Sequence, residues 1–411
     1  MIKLSPLLFS VAFLALAAIG CGPSLFPTAT PVLPTATPLP PTATPLPATD
    51  TVCAAGCDFA TIQAAIDDAS TPNGAIIEIT DPIHTEAGIV VNKDVTIRGL
   101  GAANTIVQAH ETPDEAPGRV FLVEEGAAVI LEGMTIRHGK PSIEEHGGGI
   151  MNHGTLTLKN CVVSDNTAIG GGGMCNNGAL TLINSTVSNN TARDTAPPGV
   201  FACGGGGGIR SGKGTLTLIN STVSGNQAGT RYRGAGGGVR IGCQCTAVFT
   251  NSTISGNSSV HSGGGISVVG TLQLVNCTIS NNTTNGRGEG VCVHGRLDYE
   301  NTLIANNPGN GGDCAIGADA YGKKGTIGTN SNNLVGDGRC SSDHSGDPML
   351  GPLADNGGPT WTHALLPGSP AIDAVPVISC TLPTDQRGVL RPIVETSPDT
   401  PCDIGAFERR P

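Results

Sequence analysis

The stretch GGGIMNHGTLTLKNCVVSDN (Gly147–Asn166) decides how this chain folds. It opens on a glycine cluster and an aliphatic residue, runs through an alternating TLTL segment to Asn160, and reaches Asn166 through a second short strand-like segment. The same order returns as GGGMCNNGALTLINSTVSNN (Gly171–Asn190), GGGIRSGKGTLTLINSTVSGN (Gly206–Asn226), GGGVRIGCQCTAVFTNSTISGN (Gly236–Asn257) and GGGISVVGTLQLVNCTISNN (Gly263–Asn282). A worn copy, GEGVCVHGRLDYENTLIANN, spans Gly288–Asn307. The central Asn falls at 160, 184, 220, 251, 276 and 301, giving spacings of 24, 36, 31, 25 and 25. A period of about 25 residues with strand-type alternation and no helical stretch is the pattern of a β-solenoid. Leucine-rich repeats need a fixed leucine framework, and propeller blades need about 40 residues. Three short strands per coil, stacked in parallel about 4.8 Å apart, pair every backbone group except at the two ends. Parallel crossovers are overwhelmingly right-handed, so the expected fold is all-β, a right-handed parallel β-helix over residues 51–309.

Alternation then assigns faces. Leu156/Leu158, Leu180/Leu182 and Leu216/Leu218 should point inward, and Val163, Val187, Val223, Ile254, Ile279 and Ile304 should stack in one aliphatic column. The closing residues Asn166, Asn190, Asn226, Asn257, Asn282 and Asn307 read as a structural ladder: Asn tolerates left-handed backbone angles and can bond to its own copy one coil on. The amphipathic segment Asp58–Ser70, with Ile62, Ala65, Ile66 and Ala69 on one side, reads as a helix plugging the first coil. Residues 310–411 should form a loop-rich cap over the last one.

Ahead of the repeats, residues 1–20 carry Lys3, an apolar run from Leu7 to Ile19, and Gly20 before Cys21. This is an export signal, and AAIGC resembles a bacterial lipobox with Cys21 as the lipidated residue. A plain signal peptide cut elsewhere and an uncleaved anchor are the alternatives. Residues 21–50 repeat PTATP, which favours polyproline II and cannot bury a core, so they read as a stalk. Across all 411 residues there are 60 Gly but only one Trp, three Tyr and eight Phe, so the core must be built from small aliphatics. Thirty-three acids against 22 bases give a net charge of -11, which disfavours nucleic acid as a partner.

The opening helix followed by irregular coils resembles the pectate-lyase-like β-helix superfamily. The GGG and SxN punctuation resembles repeats of chlamydial polymorphic outer-membrane proteins. PLADNGGPTWTHALLPGSPAIDA, TDQRGVLRP and CDIGAFE, within residues 310–408, resemble the choice-of-anchor Q domain family of bacterial surface proteins. That resemblance implies surface display and brings no catalytic residues. Family members carry varied C-terminal sorting signals; this chain ends at Pro411, so the lipobox is expected to anchor it. His363, Asp373, Asp385, Arg387, Asp403 and Glu408 fall in those motifs and read as internal ion pairs and turn-closing bonds.

Export permits disulfides. Cys53 and Cys57 flank a tight loop, Cys314 and Cys340 bracket another, and Cys380 and Cys402 enclose the TDQRG segment, so these three pairs are expected. Cys161 and Cys277 share a column four coils apart, about 19 Å, and should be buried thiols. Cys175 and Cys292 share a second column, and Cys203 is placed to reach Cys243 or Cys245. No spacing points to a metal or cofactor.

Arg210 and Arg240 occupy one repeat column, with Lys213, Arg231 and Arg233 close in register. Stacked cations on an acidic protein call for a counterion, and an anionic sugar is one candidate. Arg98 and Arg137, each in a TIR triplet, also read as one column, with His138 beside it. No acid pair at solenoid spacing and no Ser-His-Asp set is legible, so no catalytic residue is assigned. The leading expectation is a monomeric, cell-surface lipoprotein presenting a rigid β-helix for adhesion to a glycan or another surface protein. A polysaccharide lyase or hydrolase using the basic face is the alternative, and a purely structural envelope component the third reading.

Overall fold

Val187 lies in register between Val163 and Val223, and the column continues through Ile254, Ile279 and Ile304. Every member is fully buried. Like residues therefore meet one layer up, as the repeat demands. The computed structural model describes residues 48–193, 204–229, 234–318, 322, 324–391 and 400–410. The signal segment, Cys21 and nearly all of the Pro/Thr-rich stretch lie outside them, as does Cys203.

The solenoid strands form an 18-stranded sheet, a 10-stranded sheet and a five-stranded sheet, each wound from successive coils with parallel pairing, and Leu350–Ala354 and Thr362–Leu365 form a separate antiparallel pair. A middle coil holds four strands rather than three: Met174–Asn176, Ala179–Ile183, Thr186–Ser188 and Thr191–Ala192. The first two share the large sheet. The predicted leucine pairs are buried, and Phe121, Phe249 and Tyr299 are the largest side chains among them.

Two kinds of Asn make the corners. The central Asn adopts a left-handed backbone in every repeat, with φ of 53° at Asn160 and 50° at Asn220. The closing Asn does not; the left-handed residue is the one before it, Asp165, Asn189, Gly225, Gly256, Asn281 or Asn306. That kink turns the closing amide inward. Asn226 Nδ2 donates to Val187 O, Ser224 O and Asn257 Oδ1, while its Oδ1 accepts from the N–H and Nδ2 of Asn190. The chain of amides runs from Asn166 through Asn307 and ends on Asp313, whose Oδ1 accepts from Asn307 at 2.9 Å. The glycine cluster answers to this ladder. Gly206 needs its φ of 68°, a Cβ on Gly207 would lie 2.3 Å from Gly237 O, and one on Gly208 would lie 3.0 Å from the Asn226 amide.

The first coil is plugged by a helix shorter than expected, Ile62–Asp67. Phe59 pairs with Val52 beside the Cys53–Cys57 disulfide, which holds the preceding residues extended. Thr61 caps the helix, and Glu86 accepts from the N–H groups of Ile62 and Gln63. Ile62, Ala65 and Ile66 face the core, while Ala69 lies beyond the helix and is exposed. At the other end a further coil, Cys314–Ile316, Thr326–Ser331 and Leu334–Val335, continues past residue 310. The expected boundary at 309/310 therefore falls inside the stack. Tyr299 fills this end, donating to Cys340 O at 2.6 Å, beside the Cys314–Cys340 disulfide.

Residues 337–346 meet that end, with His344 pairing beside Leu334 and Cys340 buried in the solenoid core, but the rest of the C-terminal segment does not cover it. That remainder lies along the flank, against the outer face of the ten-stranded sheet. Thr222 donates to Trp361 O, Thr253 to Gln386 Oε1, Ser255 Oγ meets His363 Nε2 at 2.8 Å, and Ala406 N donates to Thr278 Oγ1. The outward column that begins with Val162 and Thr186 becomes Leu303 and Leu334 in the last coils, and these pack on Leu365, Ala371, Val375 and Ile404. An apolar outer face must be covered, and the flank is where it lies. The Cys380–Cys402 disulfide closes this segment.

Cys161 and Cys277 are buried thiols in the Ser185/Ser221/Ser252 column, pushed up by burial to about 11 and about 12. Asn226→Ala should remove the ladder's middle rung and leave several buried partners unsatisfied, lowering stability by about 3 kcal/mol as read from guanidinium unfolding. The same change at half-buried Asn177, which lies in the link between two strands and outside the ladder, should shift the midpoint far less.

Candidate functional site: a groove across the short turns

Turn length between the first two strands of each coil sets the relief of the large sheet. Asn177–Gly178, Val269–Gly270 and His294–Gly295 are minimal links. In Ile209–Ile219 and Val239–Thr250 the two strands run together, and the register shifts after Ser211 to accommodate extra residues around Gly212 and Cys243. After Ile316, a longer connection leads to Thr326. Longer links stand above the sheet, so the short ones between them form a floor.

A hollow of about 390 Å³ lies over that floor, with Val269, Gly270 and Gly295 beside His294, Arg296 and Lys324. A second, of about 160 Å³, is lined by Arg210, Ser211, Gly212, Arg240 and Gly242. Cys243 and Val269 line both, which joins them into one groove crossing successive coils. Arg210 and Arg240 are register partners, as the repeat column requires. Arg210 Nη1 lies 3.4 Å from Cys175 Sγ, and Arg240 donates to Gly204 O. Lys213 stands opposite Gln244 on the exposed link. Arg231 and Arg233 lie outside the described residues.

Sequence reasoning passed over His294, Arg296 and Lys324. The signal was present in the unequal lengths of the links, which column alignment alone does not weigh. Arg296 pairs with Asp298 through two bonds of 2.7 Å, and that bonding, with Thr329 N–H, holds the Asp298 carboxyl below its usual range. His294 Nδ1 faces Ala318 O at 2.9 Å, so Nδ1 carries the proton in the neutral ring. Its Nε2 lies 3.3 Å from Cys292 Sγ, a thiol that burial pushes up to about 11 and that therefore donates. The carboxylate and the imidazole are both committed to internal partners. Among the described residues the groove offers cations to a ligand and no free acid set beside a free base.

Arg98 and Arg137 do not form a second column. The TIR of Arg98 precedes its corner in the large sheet, where Arg98 pairs with Glu132 at 3.1 Å. The TIR of Arg137 follows a corner, in the ten-stranded sheet, where Arg137 donates to Gln108 Oε1. Identical triplets sit on different strands because Ile106–Gln108 intervenes. His138 has φ of 62° and meets His110 O at 2.9 Å.

The charged C-terminal residues hold the flanking segment together. Asp385 accepts from the N–H groups of Arg387, Val389 and Glu408 and pairs with Arg387 at 2.7 Å. The Arg387 guanidinium stacks 3.5 Å from the centre of the Phe407 ring. Asp403 accepts from Asp373 N–H and Arg409 N–H. Arg391, from the same TDQRGVLRP stretch, is fully buried, donating to Asp403 O and Gly405 O and lying 3.6 Å from Glu408. Burial pushes Glu408 up to about 7 against the pull of Arg391, raises Asp403 and lowers His363.

A protein-family signature described as "Right handed beta helix region" matches residues 117–308. The fold is a right-handed parallel β-helix. No curated protein matches the chain. Among solved structures it is similar to pectate lyase Pel9A, at 14% identity and a TM-score of 0.42, covering 85% of this chain and 91% of that one. The iota-carrageenase of family GH82 from A. fortis gives 14% and 0.33, covering 58% and 53%. The A-module of the mannuronan C-5 epimerase AlgE4 from Azotobacter vinelandii gives 15% and 0.27, covering 69% and 94%. Each likeness concerns the path of the chain.

A carboxyl raised by folding costs stability as pH climbs from its unfolded value toward its folded one. Replacing Glu408 by Gln removes that slope. The melting temperature of Glu408→Gln relative to wild type should therefore rise between pH 4.5 and 8, as followed by calorimetry. A difference that stays flat across this window would contradict the assignment.

Proposed function

We propose that this is an exported, lipid-anchored surface protein whose β-helix binds an acidic polysaccharide without cleaving it. The carrying observation is the groove that Arg210 and Arg240 line on adjacent coils and that Arg296 and Lys324 line beyond an intervening coil without a cation, on a chain of net charge -11. Coils repeat about every 4.8 Å, so Arg210 and Arg240 present a close cation pair, and Arg296 and Lys324 further positive charge, to anions along a polymer. Among the described residues Lys324 has no ion-pair partner, and the Asp298 carboxylate is taken by Arg296. The committed state of His294 and Asp298 favours retention over turnover.

Export and anchoring rest on the Leu7–Ile19 run, the AAIGC ending at Cys21 and disulfides that suit an oxidising compartment. The resemblance of residues 310–408 to choice-of-anchor Q domains supports surface display. Among the described residues no helix is long and apolar enough to cross a membrane.

Calorimetric titration with polygalacturonate, alginate and a glycosaminoglycan should show binding by at least one, weakening as salt is raised. Arg240→Ala and Lys324→Ala should each lower the affinity about tenfold. Binding unaffected by both changes would remove the groove from the account. New unsaturated-uronate absorbance during incubation would replace retention with lyase chemistry. Separately, Cys21→Ala should move the protein from the membrane fraction to the soluble fraction.

A further inference from the structure

The two ends of the solenoid are finished differently. At the first, Thr49–Val52 pairs with Ala75–Ile79, and its other edge is taken by Phe59, which donates to Thr51 O and accepts from Cys53 N–H. At the last, Cys314–Ile316 pairs only with Val291–Val293, and Thr326–Ser331 only with Arg296–Glu300. Gly317 N–H goes to Val293 O and Thr326 N–H to Gly295 O. Alternation along a strand then turns the N–H and C=O of Ile316 and Ile327 away from the solenoid. No described residue takes them. Thr326–Ser331 contains none of the charges or prolines that usually blunt an edge.

We propose that this edge pairs with the same edge of a second copy, giving a two-fold, tail-to-tail dimer in place of the monomer expected from sequence. Head-to-tail stacking of the large sheet is blocked because its first edge is taken by Phe59 at Thr51 and Cys53 and the helix Ile62–Asp67 lies against its first strands. Antiparallel pairing about a two-fold axis needs only the one open edge, which serves as its own complement. The pairing also covers Ile316, which is 43% exposed, and the half-buried Ile327. Exposed Arg287 and Asp343 put both signs of charge on this end, so the approach meets no uniform like-charge field. The proposal draws on neither the groove nor the lipid.

Sedimentation velocity of the full chain in a density-matched neutral detergent tests it. A concentration-dependent shift from monomer to dimer is expected, together with slower amide exchange at Ile316 and Ile327 as the dimer fills. Ile327→Pro removes an outward N–H and should abolish the shift, with a lower melting temperature because the Ile327 side chain packs on the solenoid core. If that variant fails to fold, the exchange measurement on the wild type decides. A single monomeric species with fast exchange at Ile327 at every concentration overturns the proposal and leaves the edge to a strand of another polypeptide. Open-ended oligomers overturn it equally, since the two-fold contact closes.

Discussion

Everything in this molecule depends on one constraint: residues one coil apart must fit their own copies at a separation of about 4.8 Å. Aliphatic side chains satisfy it by stacking, as in the column from Val163 to Ile304. Asn satisfies it by bonding, since an amide has both a donor and an acceptor to pass along the column. Asp313 ends the amide ladder because a carboxylate accepts and does not pass a proton on. Burial raises its pKa, yet the two bonds from Asn307 favour the charged form.

The same constraint explains where the chain is free to vary. Strands must align from coil to coil, but the links between them need not. Two adjacent longer links and two adjacent short ones turn a flat sheet edge into a groove, and the cations of several coils then line one channel. The protein gains a groove without disturbing a single core column.

The flank shows the opposite behaviour. There the outward column of the ten-stranded sheet changes character, from Thr186 to Leu303 and Leu334, and a separate segment covers it. That segment is small for a core of its own. Its few apolar residues are supplemented by a buried cluster of Arg391, Glu408, Asp403 and Asp385 and by hydrogen bonds that join Gln386 and His363 to threonine and serine on the solenoid. A buried ion cluster of this kind contributes little net stability but penalises any other arrangement, since a displaced partner would leave a charge uncompensated.

Sequence alone determined the coil, the inward columns and the Asn ladder, because each follows from period and alternation, and the three disulfides, because each pair brackets one short loop; all of these are properties of the order of residues. It also placed Arg210 next to Arg240, since both stand at the same step of the repeat. It misread Arg98 and Arg137, whose matching triplets fall outside the regular repeats, where the spacing no longer tells one strand from the next. Tertiary structure decided what lies outside the period: the height of each link, and hence the company of His294, Arg296 and Lys324; the docking of residues 347–408 on the flank; and which edge stays open. These depend on how far a loop rises and on which surface a segment meets, and neither is written in any one repeat.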